Sequence, residues 1–337
     1  INIGGNMNGY ERIMNAIEGK KNDRVPVWPF VMSFSAKYAN VPYCEFAKDY
    51  KRLAYAQIKT AEDFDLDAVA IDSDAYREAS ACGAVLDFPE DDLPIIRQHA
   101  ILDKKDFKFK LPDISKSERL VDKIEGIRYV KDHFKNEKVV SGWIEAPLQS
   151  ASTLYDLNEF MIDIYEEPEF IKDLVSFTAD LGAEFAIEQA KAGADIIGIG
   201  DAVASMVSPS VYEEYIFPYT KKLVQRIREK SNVKLKYHIC GDALHILKYA
   251  KEINFDVINI DYKIDMKKAF EIVGDTTCIK GNLDPVSVLQ NGTDEMINEE
   301  VKKLIDLKQP KFILSGGCEI TRDTPYKNMH TMVHAVK

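Results

Sequence analysis

Asp195-Ile-Ile-Gly-Ile-Gly200, Lys234-Leu-Lys-Tyr-His-Ile239 and Phe255-Asp-Val-Ile-Asn-Ile260 are three short apolar runs spaced along the second half of the chain. Between the first and second, Ser208 stands before Pro209. A side-chain oxygen at the cap and a proline at the first helical position predict a helix from there to about Lys230. Between the second and third, Asp242 caps a predicted helix over Ala243–Glu252. The runs are rich in Ile and Val and apolar on both faces, the pattern of strands buried in a parallel sheet. Strand, helix, strand, helix, strand is the unit that builds such a sheet.

Outward from this stretch the pattern repeats. Val25–Val31, Leu66–Ile71, Val139–Ile144, Thr277–Gly281 and Lys311–Gly316 are further runs, with helical periodicity between most of them. Phe170–Ala192 carries apolar residues at helical spacing and meets Gly193, a C-terminal cap. Eight runs alternating with helices predict an α/β fold, a (β/α)8 TIM barrel. The absence of a Gly-rich dinucleotide turn disfavours a doubly wound sheet. Cys82–Ile101 reads as a β excursion and Ser115–Phe134 as an added helix, together an insertion after the second strand. A length of 337 residues allows two domains,. No linker, repeat or low-complexity tract divides the chain, so a single domain over 8–337 is expected. Residues 1–6, before Met7, read as a leader outside the fold.

Composition narrows the function. Lys and Arg number 44 against 55 Asp and Glu, a net charge of −11. Nucleic-acid and anionic-membrane binding both need a basic face, which this balance disfavours. No apolar run is long enough to span a membrane. Five cysteines, sparse and odd in number, do not read as a secreted disulfide framework,. A reduced, cytoplasmic enzyme is the expected class.

Chemistry concentrates at one segment, Lys236-Tyr-His-Ile-Cys-Gly-Asp242. His238 and Cys240 are two residues apart at a strand end, so their side chains face the same way. In a barrel the C-terminal strand ends surround the active site. Imidazole and thiolate together suit zinc. Alone, the pair is equally consistent with a buried Cys beside a satisfied His. Cys318, just after the last run in Leu314-Ser-Gly-Gly-Cys-Glu319, falls on the same rim. Three protein ligands would leave a fourth position open, as in catalytic rather than structural zinc sites.

Aromatic and acidic residues join them. Trp28, Phe30, Met32 and Phe34 lie in and after the first run, and Trp143 ends the third. At least half of such side chains pack in cores; those alternating toward the rim would wall a pocket. Glu145 follows Trp143 and is expected on the rim, as a general acid or base or a fourth zinc ligand. Asp201 and Asp261 also end strands and would bind substrate or orient His238. Asn282 follows the seventh run and is expected to bind substrate. Cys44, Cys82 and Cys278 read as small buried hydrophobes.

At this point the sequence resembles the uroporphyrinogen decarboxylase superfamily, and within it the zinc methyltransferase branch. The stretches that carry the resemblance are Asn8-Gly-Tyr-Glu-Arg-Ile13, Gly200-Asp-Ala-Val-Ala-Ser-Met-Val-Ser-Pro-Ser-Val-Tyr-Glu-Glu-Tyr215 with Pro218-Tyr219, His238 to Asp242, Gly281-Asn-Leu-Asp-Pro285, and Ile313 to Cys318 through Thr324-Pro325. The resemblance implies zinc held by His238, Cys240 and Cys318. It also implies methyl transfer between a small methylated substrate or thiol and a corrinoid carried by a partner protein. This chain lacks the D-x-H-x-x-G run of cobalamin carriers. Whether like chains assemble is left open.

Two departures shape the expectation. True decarboxylases carry an Arg-rich N-terminal motif for the carboxylates of a porphyrinogen; here Val27-Trp-Pro-Phe-Val-Met-Ser-Phe34 has no Arg,. Those enzymes also use an Asp at the place of Asp74, which is expected here to be retained without that role. Methylation of coenzyme M requires a site for a sulfonate, and Glu319 beside Cys318 opposes an anion. A methoxylated aromatic substrate is therefore favoured, with phenolate as leaving group. The alternatives are a thiol that accepts a methyl group from the corrinoid, a tetrapyrrole decarboxylase, and a non-catalytic partner of a corrinoid protein.

Overall fold

Seven of the eight runs form one parallel sheet in the computed structural model, which describes residues 7–337. The leader expected over residues 1–6 lies outside the described residues. The strands of this sheet are β1 Ala68–Ala70, β4 Val139–Glu145, β5 Ile196–Gly200, β6 Lys234–Ile239, β7 Val257–Ile260, β8 Cys278–Leu283 and β9 Phe312–Gly316, adjacent in that order. Between β1 and β4 the chain makes an antiparallel hairpin apart from the sheet, β2 Val85–Asp87 with β3 Ile95–Gln98. This is where the β excursion was expected.

The first run behaves differently. Val25–Val31 contributes isolated bridges, not a regular strand: Val27 to Leu314 and Phe30 to Glu319. The cause is Pro26 and Pro29, which have no N–H to give to a ladder. The run still reaches both edges of the sheet. Trp28 N donates to Leu314 O on β9, while Asp67 N, just before β1, donates to Val27 O.

The two faces of the sheet bury different layers. On the inner face Ala68, Val139, Ile196, Val257, Cys278 and Ile313 pack with Trp28 and are closed from below by Ile13, Ala16 and Ile17 of helix Gly9–Glu18. On the outer face Ile197, Ile199, Leu235, Tyr237 and Ile258 meet the surrounding helices. Side chains alternate along a strand, so Trp143, Glu145, Gly198, Gly200, Lys236, His238, Asn259, Asp261, Lys280 and Ser315 fall on the inner face.

Helix Glu118–Phe134 leads into β4, and its Leu120, Ile127 and Val130 are fully buried. It serves as the crossover that parallel strands require, rather than as an addition beside one. The helix expected after Ser208 is present. The Ser208 hydroxyl accepts from Val211 N, and the segment passes through one π turn at Tyr212–Ile216 before continuing to Lys230. Among the described residues no helix is long and apolar enough to cross a membrane.

Candidate metal centre

His238, Cys240 and Cys318 converge, with their ligand atoms all within 4.8 Å of one another. Cys240 Sγ lies 3.3 Å from His238 Nε2 and 3.5 Å from Cys318 Sγ. Cys318 Sγ lies 3.9 Å from His238 Nε2. A tetrahedral zinc ion with ordinary bond lengths puts N and S ligand atoms about 3.5–3.8 Å apart. The three atoms therefore form one face of a zinc tetrahedron with adjustments of a few tenths of an ångström. Among the described residues no fourth His, Cys, Asp or Glu joins the group. The donor set fits zinc and leaves its fourth position open.

The local chain explains the convergence. His238 sits near the end of β6 and Cys240 just beyond it. Gly241 then takes φ +78, a left-handed conformation suited to glycine, and its N–H donates to Asp261,. Asp261 also accepts from Lys263 N, so it braces the turn that presents Cys240. Cys318 arrives from the edge of the sheet, in the loop after β9. A Cβ on Gly317 would lie 2.3 Å from Tyr262 N, so only glycine lets this loop pass so close. The hydrogen bond from Cys240 draws the Cys318 thiol well below its ordinary pKa, burial opposing and His238 assisting.

The aromatic residues divide by depth. Phe30 stacks on Trp143 with centroids 4.9 Å apart, and both rings flank His238 at 6.3 and 6.0 Å. Trp28 lies beside Lys236 Nζ, 4.3 Å from its ring centroid, and belongs to the layer that closes the bottom of the inner face. Phe34 packs against Tyr38, Phe64 and Tyr326, away from the centre. Met32 is buried where helix Ser33–Tyr38 begins.

Glu145 is buried on the inner face, and Trp143 Nε1 donates to it at 2.8 Å. Burial raises its pKa well above the ordinary carboxylate value, and the neighbouring Glu78 and Asp72 raise it further. Glu78, itself buried, accepts from Glu145 N at 2.9 Å. Room for Glu145 and Trp143 comes from Gly200, where a Cβ would lie 2.6 Å from the indole. Glu145 stands near the three ligands but outside their cluster, which does not support the expectation of a fourth ligand.

Two expectations require correction. Asp201 does not reach the inner face: it accepts from Tyr237 OH at 2.6 Å, between sheet and helices, because Gly200 takes the inward position. Neither Asp201 nor Asp261 orients His238, whose buried Nδ1 has no partner among the described residues. Asn282 donates to the carbonyls of Asp261 and Ile264, bracing that loop. Asp74 forms a 2.6 Å ion pair with Arg119.

Sequence reasoning missed two residues beneath the centre. Lys236 and Lys280 are buried on the inner face. Lys280 Nζ donates to Asn259 and Ser315. Lys236 lies against Trp28, Trp143 and Phe30. The signal for Lys236 was available, since it precedes His238 by two positions in the same strand. Glu78, on a short helix after β1, had none.

A parallel α/β sheet with an imidazole–thiol cluster at its C-terminal edge defines the class. The chain belongs to the uroporphyrinogen decarboxylase (URO-D) family, which it matches over residues 8–337. It is 29% identical to a methylcobamide:CoM methyltransferase of Methanosarcina acetivorans, the match covering 97% of each chain. It is 26% identical to a uroporphyrinogen decarboxylase of Rickettsia africae, over 97% of this chain and 96% of that one. A solved methyltransferase structure from Methanosarcina mazei superposes with a TM-score of 0.85 at 21% identity, over 98% of each chain. That likeness is one of fold.

Proposed function

We propose that the chain is a cytoplasmic zinc-dependent methyltransferase, a single elaborated (β/α)8 barrel that moves a methyl group between a small substrate and a corrinoid protein. The observation that carries this reading is the convergence of His238 Nε2, Cys240 Sγ and Cys318 Sγ with a fourth position open. The kinship with methylcobamide:CoM methyltransferases supports the corrinoid partner. The hairpin β2–β3 is an elaboration of the rim.

A methoxylated aromatic is the favoured substrate. Zinc bound at the three ligands would supply Lewis acidity toward an ether oxygen. Phe30 and Trp143 hold the aromatic ring beside His238. The methyl carbon passes to the reduced corrinoid of the partner protein, and the C–O electron pair stays on the phenol oxygen. Glu145, kept protonated by burial, gives that oxygen its proton,. Asp261 and Asn282 keep the rim in place around the substrate. The second reading, a thiol accepting the methyl group, uses the same centre in the opposite direction.

Two measurements test the proposal. Purified protein should contain about one zinc per chain, and Cys240→Ala or Cys318→Ala should lose it. With a reduced corrinoid protein and a panel of methoxylated aromatics, methylamines and thiols, absorbance should report conversion of Co(I) to methyl-Co(III). A metal-free native protein, or zinc retained by both variants, overturns the zinc assignment. Zinc-replete protein that moves no methyl group overturns the enzymatic one.

A further inference from the structure

The centre is encircled by carboxylates that have no cation to themselves. Glu145 ends β4, Asp261 follows β7, Glu319 follows Cys318, and Glu78 rises from the helix after β1. None of these four takes part in an ion pair within 4 Å among the described residues; their partners are N–H and O–H groups, such as Ser33 for Glu319. The one lysine that bears on Glu78 and Glu145 is Lys123, and it is shared with Asp72. The cations nearby are committed. Lys123 pairs with Asp72 at 2.7 Å, Arg119 with Asp74, and Arg77 with Asp122. At the outer rim Lys37 pairs with Asp323 and Arg322 with Asp91.

The two lysines closest to the inner face of the centre are sealed off. Lys236 and Lys280 are no more than 1% exposed. The first is covered by the Trp28, Trp143 and Phe30 rings, and the second has its Nζ engaged by Asn259 and Ser315. An incoming carboxylate or sulfonate would therefore meet aromatic faces and no free cation in a partly dehydrated space, where the loss of its water is not made good by a partner.

From this arrangement we infer that the centre selects substrates whose methyl-bearing or methyl-accepting part is uncharged, and that it rejects their carboxylated and sulfonated counterparts. The inference rests on the reaction proposed above and names its substrate class: a neutral phenyl methyl ether or a neutral thiol. A cation bound at His238, Cys240 and Cys318 does not reverse the argument, because two thiolates cancel the charge of Zn²⁺.

The test compares binding within matched pairs on the zinc-loaded protein at neutral pH. One pair is 2-methoxyphenol and 4-hydroxy-3-methoxybenzoate; the other is 2-mercaptoethanol and 2-mercaptoethanesulfonate. Affinity is read by calorimetry. Quenching of the chain's two tryptophans, Trp28 and Trp143, reports locally, since both lie at or beneath the site. The neutral member should bind at least tenfold more tightly in whichever pair binds. An anionic member that binds as well or better overturns the inference while leaving the methyltransferase reading intact. Binding of the neutral thiol but not the neutral ether keeps the inference and overturns the ether substrate. Failure of all four ligands to bind overturns both.

Discussion

Glu145 shows how one side chain acquires a chemical task from its surroundings. A carboxyl group in water is ionised at neutral pH. Here burial, Glu78 and Asp72 all favour the protonated form, with the Trp143 indole opposing. The working form in the proposed reaction is the acid. Because the pKa is raised, that form persists above the usual carboxylate range and is lost as pH rises through the shifted value. The kcat/KM for an ether substrate should therefore fall on the alkaline side, and Glu145→Gln should remove that fall while lowering the rate about 10²–10⁴-fold. A variant profile with the same alkaline limb would assign it to another group. Gly200→Ala offers a companion test. Its Cβ would meet the Trp143 ring at 2.6 Å and Glu145 Oε2 at 3.1 Å, so activity should fall at least tenfold while bound zinc is retained. At this scale the convergence of His238 and Cys240 was legible, because H-x-C at a strand end fixes both direction and face. Asp201 was misread because its neighbour Gly200 takes the inward position, a parity that depends on where the strand starts.

The elements were readable where hydrophobic runs are uninterrupted, and less so where prolines intervene. β6 runs from Lys234 to Ile239, the expected run residue for residue. Val25–Val31 has the composition of a strand but lacks two ladder donors, so other groups must hold it. Asp67 supplies much of that hold. Its carboxylate accepts from Val27 N at 2.7 Å and from Arg12 and Arg24, and it is 1% exposed. No sequence pattern announces such a clamp, because its partners lie up to 55 residues away. Asp67→Ala leaves Val27 N without its acceptor and takes a buried partner from Arg12, which keeps Asp23, and from Arg24, which keeps Asp65. Removing one partner of a buried charge pair costs about 3–5 kcal/mol. Denaturant titration should show a loss of that order. Zinc content of the folded fraction should be unchanged, since Asp67 precedes β1 at the end of the sheet opposite the centre. A loss under 1 kcal/mol would mean that the Pro26–Trp28 segment is held by its bonds to β9 alone.

At the scale of the molecule, the centre joins parts of the chain that the sheet brings together late. His238 and Cys240 come from β6, while Cys318 comes 78 residues further on, after β9. Phe30, next to the centre, belongs to the run that bridges the sheet edges, and it pairs with Glu319 beside Cys318. A metal held by all three ligands therefore ties the middle of the sheet to its last strand and, through Glu319, to its first run. An ion that binds the folded chain alone stabilises it by mass action, about 2.7 kcal/mol at a free concentration one hundred times its Kd. For a chain of this size that corresponds to a rise in Tm of roughly 4 °C. Chelation should lower Tm by that amount and restoring zinc should recover it. Cys240→Ser and Cys318→Ser should each abolish the dependence on added zinc, although the protein still folds. A melting temperature that ignores complete removal of the metal would show that the three side chains are already locked by the sheet. In that case the centre is preorganised, and the energy of binding zinc goes to holding the ion itself rather than to closing the fold around it.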